Sequence, residues 1–460
     1  MVNDTIAAVI TAMGASSVGI IRLSGPEAVD IGAKIYHGKK DLRLVDSHTI
    51  HYGKVVNPID GKVVDEVLMM VMRGPRSFTG EDIIEIQCHG GTVVIQKILN
   101  LVLAQGARLA EVGEYSKRAF LNGKMDLSQA EAIMDIVGAK TERSLDLALT
   151  QLQGGLSAKI GETRAQLLEL IAFIQADIDY PDDDIERLTE DEQQQRVQGM
   201  IEQIESILQT AQKGQIIRDG LKVAIIGKPN VGKSSLMNAL LGQNRAIVTD
   251  IPGTTRDVIE EYVNLNGIPL KIVDTAGIRQ TDNLVEQIGV EKARAFLKAA
   301  DLVLYVYEPL LGLNEEDQDI LKLIKPDQPV VFLKNKMDLP MEEQKKAEAL
   351  TIINNRPVIA ISAMNHQGID KLEKWIIDMF FDGQLDISQE VMVTNARHIT
   401  ILEQSIAHLV AVSQGIDQGI TNDFLVIDCQ SAWEKLGSIT GDTVEEDLLD
   451  QIFSQFCLGK

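Results

Sequence analysis

The chain is poor in the features that mark secreted or membrane proteins. It has three cysteines in 460 residues, Cys88, Cys429 and Cys457, and no two stand as a C-x-x-C pair. That excludes a disulfide framework and a cysteine zinc site, and makes a reducing, cytoplasmic setting the expectation. No apolar run approaches the ~20 residues that span a bilayer. The stretch from Thr5 to Ile21 is uncharged and mostly small or apolar, but it lacks a basic leader and is broken by Gly14 and Gly19. It reads as strand–turn–strand rather than as a signal peptide. Aromatic residues are only 4% of the chain, so cores must be built from Ile, Leu, Val and Ala. Basic residues are scarce as well: 44 Lys and Arg stand against 67 Asp and Glu, a formal net charge of -23. Phosphate contacts need Lys and Arg. Any RNA contact must therefore use a local basic patch or be carried by a partner.

The length suggests about three domains. Residues 1–118 alternate short β-rich runs (Ile20–Leu23, Val67–Met72, Ile83–Ile86) with turns, and Thr92–Ala104 has helical periodicity: an α/β domain. Residues 119–215 read as helical. Ser128 followed by Glu131 matches a capping box, and the helical run continues to about Gly214, broken near Asp177–Asp184. Residues 216–379 alternate apolar strands (Val223–Ile226, Ile272–Val273, Leu302–Val306, Val330–Leu333, Val358–Ile361) with helices, the rhythm of a parallel sheet. Residues 380–460 return to helix. An α/β unit flanked by helical segments suggests one domain inserted into another.

The chemistry is concentrated in that inserted unit. Gly227-Lys228-Pro229-Asn230-Val231-Gly232-Lys233-Ser234 matches G-x-x-x-x-G-K-S between a predicted strand and a predicted helix. Glycines there let backbone N–H groups turn toward phosphates at a helix N-terminus. Lys233 supplies a cation to the terminal phosphates and Ser234 a hydroxyl ligand to magnesium, with Ser235 beside it. Further motifs follow in order. Thr249-Asp250-Ile251-Pro252-Gly253-Thr254-Thr255 forms a loop in which Thr255 is the second hydroxyl ligand, unless the loop is merely polar. Asp274-Thr275-Ala276-Gly277 closes a strand at the metal shell and γ-phosphate. Asn335-Lys336-Met337-Asp338 places a carboxylate that can accept two hydrogen bonds from a guanine edge. Ser362-Ala363 can present a backbone N–H to the guanine carbonyl. Four such motifs at these spacings point to GTP and GDP and exclude a generic ATPase.

One position departs from common GTPases. Ile278 stands where many carry a water-orienting glutamine. Another group must act on water. Glu286 is either that group or a solvated helix charge. No arginine finger is evident beyond Arg256; a bound cation held by Asn230 could replace it. In the first domain Arg22, Glu85 and Lys124 could converge. Cys457 stands fourth from the end, but Gly459 and Lys460 fit a prenylation box poorly.

Several runs outside the nucleotide motifs carry a more specific signal: Asn3-Asp4-Thr5-Ile6, Arg22-Leu23-Ser24-Gly25, Ser77-Phe78-Thr79-Gly80-Glu81-Asp82, His89-Gly90-Gly91, Gly113 to Lys124, Gly253-Thr254-Thr255-Arg256-Asp257 and the Cys-Leu-Gly-Lys tail. With them the chain resembles, end to end, the tRNA-modification GTPase family MnmE (TrmE). The resemblance implies a multidomain α/β plus α fold: an N-terminal α/β folate-binding and dimerising domain, a helical domain drawn from both flanks, and an inserted Ras-like P-loop GTPase. It implies a tetrahydrofolate derivative (5-formyl- or methylene-tetrahydrofolate) near Arg22, Glu85, Lys124 and Lys460. It implies potassium held by Asn230, Thr249, Ile251 and Thr254, Glu286 acting on water, and Cys457 needed for modification. It implies a homodimer that joins a flavin-dependent partner of the MnmG (GidA) family in a heterotetramer. Together they place an aminomethyl or carboxymethylaminomethyl group on the wobble uridine of certain tRNAs. The alternative reading is a ribosome-associated or signalling GTPase switch without modification chemistry.

Overall fold

The computed structural model describes residues 4–12, 14, 16–181, 187–244, 261–274, 297–310, 312–339, 353, 356–381, 383, 391–456 and 459. The fold is multidomain α/β plus α. Residues 1–134, 152–168 and 430–460 make one compact unit, and 135–151 with 169–429 make a second.

The first unit is built on strands β1 (Ile6–Val9), β2 (Val18–Ser24), β3 (Tyr36–Gly38), β4 (Thr49–Val56), β5 (Val63–Met72), β6 (Ile83–His89) and β7 (Arg108–Leu109). They lie in the order β3-β4-β5-β6-β2-β1-β7, antiparallel except for β1 beside β7. Alternation assigns the two faces. Ile21, Leu23, Met69, Val71, Ile84 and Ile86 are fully buried in one core with helices α1 (Ala28–Ile35) and α2 (Thr92–Ala104). The intervening residues, Arg22 and Glu85 among them, stand on the other face, and these two are direct register partners. Strands β3, β4 and β7 were not foreseen. In β4 the apolar Ile50 and Tyr52 are exposed, which inverts the pattern a strand search relies on.

Part of that second face is covered by helix α3 (Glu114–Leu121), whose fully buried Tyr115 packs with Ile6, Ala8, Ala110 and Phe78. Helix α4 (Leu127–Gly138) follows. Its start differs from expectation: Asp126, not Ser128, accepts the Gln129 N–H at 2.9 Å, and Gln129 accepts the Asp126 N–H at 2.9 Å. The reciprocal pair lies two residues earlier than the Ser128/Glu131 box, because Asp126 is the last residue before the helical backbone begins. The C-terminal helix Glu446–Phe453 places Phe453 with Phe120, Leu127 and Phe456. Gly113 permits that docking. Its φ is +70°, and a Cβ there would lie 2.3 Å from the Phe453 carbonyl oxygen.

A charge network braces the loop between β5 and β6. Arg118 is 4% exposed. It bonds Asp4 at 2.6 Å, Glu114 at 2.9 Å and Glu81 at 3.2 Å. Arg108 adds bonds to Asp4 at 2.7 Å and Glu114 at 2.6 Å. Glu81 also accepts from Ser24 at 2.7 Å, and Ser24 meets Thr79 at 2.7 Å.

The second unit carries β8 (Leu221–Ile226), β9 (Glu261–Leu265), β10 (Ile268–Asp274), β11 (Leu302–Tyr307), β12 (Val330–Lys334) and β13 (Val358–Ala360), ordered β13-β12-β11-β8-β10-β9. All pairs are parallel except β9 with β10. The sheet is thus mixed rather than purely parallel, and β9 was not foreseen. Asn266 and Gly267, with φ of 50° and 93°, form the two-residue turn of that hairpin. The centre of the sheet is apolar on both faces, as in Leu302–Tyr307, whose six residues are all buried. Helices α5 (Glu142–Leu152) and α8 (Ala211–Asp219) contribute Leu147, Ile216 and Ile217 to the core of β8, β9 and β10. The upstream helical run therefore ends at Asp219, beyond Gly214. Helices α6 (Gly155–Asp179) and α7 (Glu190–Leu208) bracket the expected break, and α7 opens on a Thr189/Glu192 capping box. Two further long helices, Ala396–Asp417 and Asn422–Thr440, complete the helical return.

Arg118→Met should destabilise the first unit by about 3 kcal/mol, the lower end for breaking a buried charge pair, since Asp4 keeps partial solvent contact. Burial pushes the Glu114 and Asp4 carboxyls up, but hydrogen bonds and charges from Arg108 and Arg118 hold both below the ordinary carboxylate range. Folded-state values that are lowered stabilise the fold above the unfolded pKa and lose that contribution as pH falls through them. Unfolding titrations should show wild-type stability dropping below about pH 4.5, with a shallower drop in Arg118→Met. An unchanged acid profile in that variant would rule out this role.

Candidate functional site

The Gly227–Ser234 loop joins β8 to helix α9 (Lys233–Asn244). Its conformation depends on residues that tolerate positive φ: Gly227 at 143°, Asn230 at 63° and Gly232 at 98°. Gly227 passes so close to β11 that a Cβ would lie 2.1 Å from the Val306 carbonyl oxygen. Gly232 is equally constrained, since a Cβ would lie 2.2 Å from Asn335 Nδ2. Lys233 Nζ bends back over the loop to the carbonyls of Gly227 at 2.9 Å and Lys228 at 2.6 Å. Val231 is buried and anchors the loop from below. Asn230, Ser234 and Ser235 are exposed on its outer side.

Asn335, 2% exposed, connects this loop to the base motifs. Its Nδ2 donates to the Val231 carbonyl at 2.8 Å, and its Oδ1 accepts the Ala363 N–H at 3.0 Å. Its own N–H donates to Tyr307 O at 2.9 Å. The Ala363 N–H expected to face a base is thus engaged in bracing Asn335. Asp338 is exposed and accepts the Ser362 hydroxyl at 2.6 Å. That bond holds its carboxyl below the ordinary range, so it stays an anionic acceptor. Lys336, at φ 60°, is held by Glu308 at 2.6 Å. The structure therefore brings the phosphate loop, Asn335, Lys336, Asp338, Ser362 and Ala363 together. Asp274 ends β10, next to β8. Thr249, Asp250, Ile251, Pro252, Gly253, Thr254, Thr255, Thr275, Ala276, Gly277, Ile278, Glu286, Cys457 and Lys460 lie outside the described residues.

In the first unit, Arg22 and Glu85 meet at 2.7 Å across β2 and β6. The Arg22 guanidinium lies 5.5 Å from the Phe78 ring centroid and 5.6 Å from that of Tyr115. Tyr115 also donates its hydroxyl to the Arg22 carbonyl at 2.7 Å. Lys124 does not join this pair. Its Nζ bonds the Pro75 carbonyl at 2.9 Å, in the loop that carries Phe78. Phe78 and Tyr115 lie within the quoted sequence runs, but nothing in their spacing signals that they flank Arg22.

Comparison with known proteins shows the family. The family profile described as "GTP-binding protein TrmE N-terminus" matches residues 5–124, and that described as "MnmE helical domain" matches residues 127–457. The tRNA modification GTPase MnmE of Geobacillus kaustophilus is 51% identical over 464 residues, covering 99% of each chain. That of Desulforamulus reducens is 48% identical over 462 residues and all of both chains. That of Bacillus subtilis is 49% identical over 461 residues, covering 99% of this chain and all of the other. The chain belongs to the MnmE family of tRNA modification GTPases. The family match spans both units, and the segments that carry Arg22 and the phosphate loop both lie within it.

The described cysteines add a negative result. Burial pushes the Cys88 thiol up to about 11 and the Cys429 thiol to about 12. Buried thiols raised this far hold little thiolate at neutral pH, and Cys457 lies outside the described residues.

Asn335→Ala removes two side-chain hydrogen bonds at about 1 kcal/mol each. GDP binding should weaken by up to about thirtyfold, read by titration of a fluorescent GDP. Unchanged affinity would show that the bracing is dispensable.

Proposed function

We propose that GTP hydrolysis in the second unit drives modification of the wobble uridine of certain tRNAs. The reaction adds an aminomethyl or carboxymethylaminomethyl group, in concert with a flavin-dependent partner of the MnmG (GidA) family. The observation that carries the nucleotide half is Asn335, which joins the phosphate loop to an exposed, anionic Asp338 through Ala363 and Ser362.

Several features fit the groups this reading requires. The Ser234 hydroxyl is exposed on the first turn of α9, where it can ligate magnesium. Asn230 has an exposed carboxamide on a left-handed backbone and makes no hydrogen bond among the described residues. An oxygen donor of that kind suits a hard cation such as potassium. With Thr249, Ile251 and Thr254 it would place positive charge at the phosphates, the role an arginine finger fills elsewhere. Glu286 would orient or deprotonate water in place of the glutamine that Ile278 lacks.

In the first unit, paired charges between two aromatic rings suit a flat polar heterocycle, and a tetrahydrofolate derivative would supply one carbon there. Gly459 supports a role for the tail: a Cβ on it would lie 2.7 Å from the Val9 carbonyl, on the strand next to Arg22. Cys457 and Lys460 flank that residue in sequence. A homodimer is supported by Ile50, Tyr52 and Leu68, which are 40–64% exposed on neighbouring strands of the same sheet face. Among the described residues no helix is long and apolar enough to cross a membrane. The reading places the protein in the cytoplasm.

GTP turnover should be faster in potassium than in sodium at equal ionic strength, and Glu286→Ala should lower it by about 10²–10⁴ with GDP binding retained. Equal rates in the two salts would remove the potassium assignment, and normal hydrolysis by Glu286→Ala would remove the glutamate.

Cells carrying Cys457→Ser should lose the wobble modification by nucleoside mass spectrometry, while the purified variant keeps its GTPase activity. Calorimetry should detect formyl-tetrahydrofolate binding to wild type and not to Arg22→Ala. Retained modification in Cys457→Ser cells would remove the role of Cys457; modification that persists in cells lacking the whole protein, together with no folate binding, would favour a GTPase switch without modification chemistry.

A further inference from the structure

Beneath the phosphate loop lies a buried charge that the nucleotide reading does not use. Asp317, in the helix Glu315–Leu321, is 1% exposed. Its Oδ1 accepts the Tyr305 hydroxyl at 2.5 Å. Its Oδ2 accepts the Asn314 N–H at 2.7 Å and lies 2.8 Å from Lys228 Nζ. The same ammonium donates to Asn314 Oδ1 at 2.7 Å. Lys228 is the second residue of the Gly227–Ser234 loop, and its carbonyl is one of the two that hold Lys233 Nζ. One residue thus faces two ways, with its side chain fixed to a buried carboxylate and its backbone fixing the lysine directed at phosphate.

We propose that Asp317 is a positioning residue for nucleotide binding, which holds the phosphate loop in its binding conformation through Lys228. The proposal rests on the reading of Gly227–Ser234 as a nucleotide loop. Preorganisation is the physical reason. A loop of glycines and a left-handed Asn230 has many alternative conformations, and a ligand that must order it binds more weakly. The carboxylate removes that freedom at one point in the loop. Its own charge is compensated by Lys228, while Tyr305 and the Asn314 N–H donate to both of its oxygens, as a buried ion requires. Asparagine at 317 would keep the shape but lose the charge that retains Lys228. Methionine at 228 would keep the stem but remove the cation.

The test is release of a fluorescent GDP from the full chain, by stopped flow, in wild type, Asp317→Asn, Lys228→Met and the double variant, with thermal midpoints measured alongside. Each single substitution should speed release about tenfold. The double should resemble either single rather than multiply to about a hundredfold, because both remove one interaction. Lys228→Arg, which restores the cation, should stay within about threefold of wild type. Single variants that release GDP within twofold of wild type would overturn the proposal, and lower thermal midpoints with unchanged release would reduce Asp317 to a fold-stabilising residue. Multiplying effects in the double would overturn it equally. Wild-type protein that binds no GDP would overturn the nucleotide reading and this proposal with it, a failure visible before any substitution is made.

Discussion

The hydrogen bonds of Asn335 set the geometry on which the second unit's chemistry depends. Its backbone N–H reaches the end of β11, its side-chain nitrogen the phosphate loop, and its side-chain oxygen the loop after β13. Three segments separated by tens of residues therefore share one small side chain. A carboxamide suits this position because it offers a donor and an acceptor at fixed separation, both satisfied in a buried place where an unmet group would cost about 1–3 kcal/mol. The requirement extends to Gly232, since any side chain there would collide with Asn335. The phosphate loop and the Asn335–Asp338 segment are in this way held in register.

The first unit reaches a comparable result with charge. Arg118 collects Asp4, Glu81 and Glu114 from three parts of the chain, and Glu81 passes the constraint to Ser24 and Thr79. The loop so braced carries Phe78 toward Arg22. Many of the family-specific sequence runs thus have a bracing role. Asp4, Ser24, Thr79, Glu81, Glu114 and Arg118 hold the loop, whereas Arg22, Glu85, Phe78 and Tyr115 make a charged and aromatic cluster beside it.

How much of this is legible in sequence follows from the range of each interaction. The phosphate loop and the Asn-Lys-x-Asp motif are local, and a short segment's residue types carry their chemistry. Helix α2 is legible to both ends because its apolar positions repeat along one face. The bracing roles are not local. Asn335 is 104 residues from Val231, and Arg118 is 114 from Asp4. Strand β4 was hidden because Ile50 and Tyr52 point away from its core and His51 and Gly53 occupy the other side. The capping box was misplaced because Ser-x-x-Glu and Asp-x-x-Gln overlap at 126–131, and only the backbone shows which opens the helix.

The hairpin β9–β10 shows why the inserted sheet needs its flanking helices. The chain enters β9 from the Thr249–Thr255 segment and leaves β10 at Asp274, so both ends of the hairpin lead into nucleotide motifs. Its turn points the other way. A Cβ on Gly267 would lie 2.5 Å from Arg143 Cδ, Lys140 stands 5.5 Å over the Tyr262 ring, and Asn266 hydrogen-bonds Glu373. Val263, Leu265 and Ile268 are buried in the same core as Leu147 and Ile217. A sheet attached only where the chain enters and leaves it could pivot about those two points. The packed turn adds a third attachment, made by Lys140 and Arg143, which precede the sheet by some eighty positions, and by Glu373, which follows it. Glycine at 267 is what the turn demands, since its φ of 93° is one that other residues rarely adopt, and its missing Cβ leaves the Arg143 side chain room to lie against it.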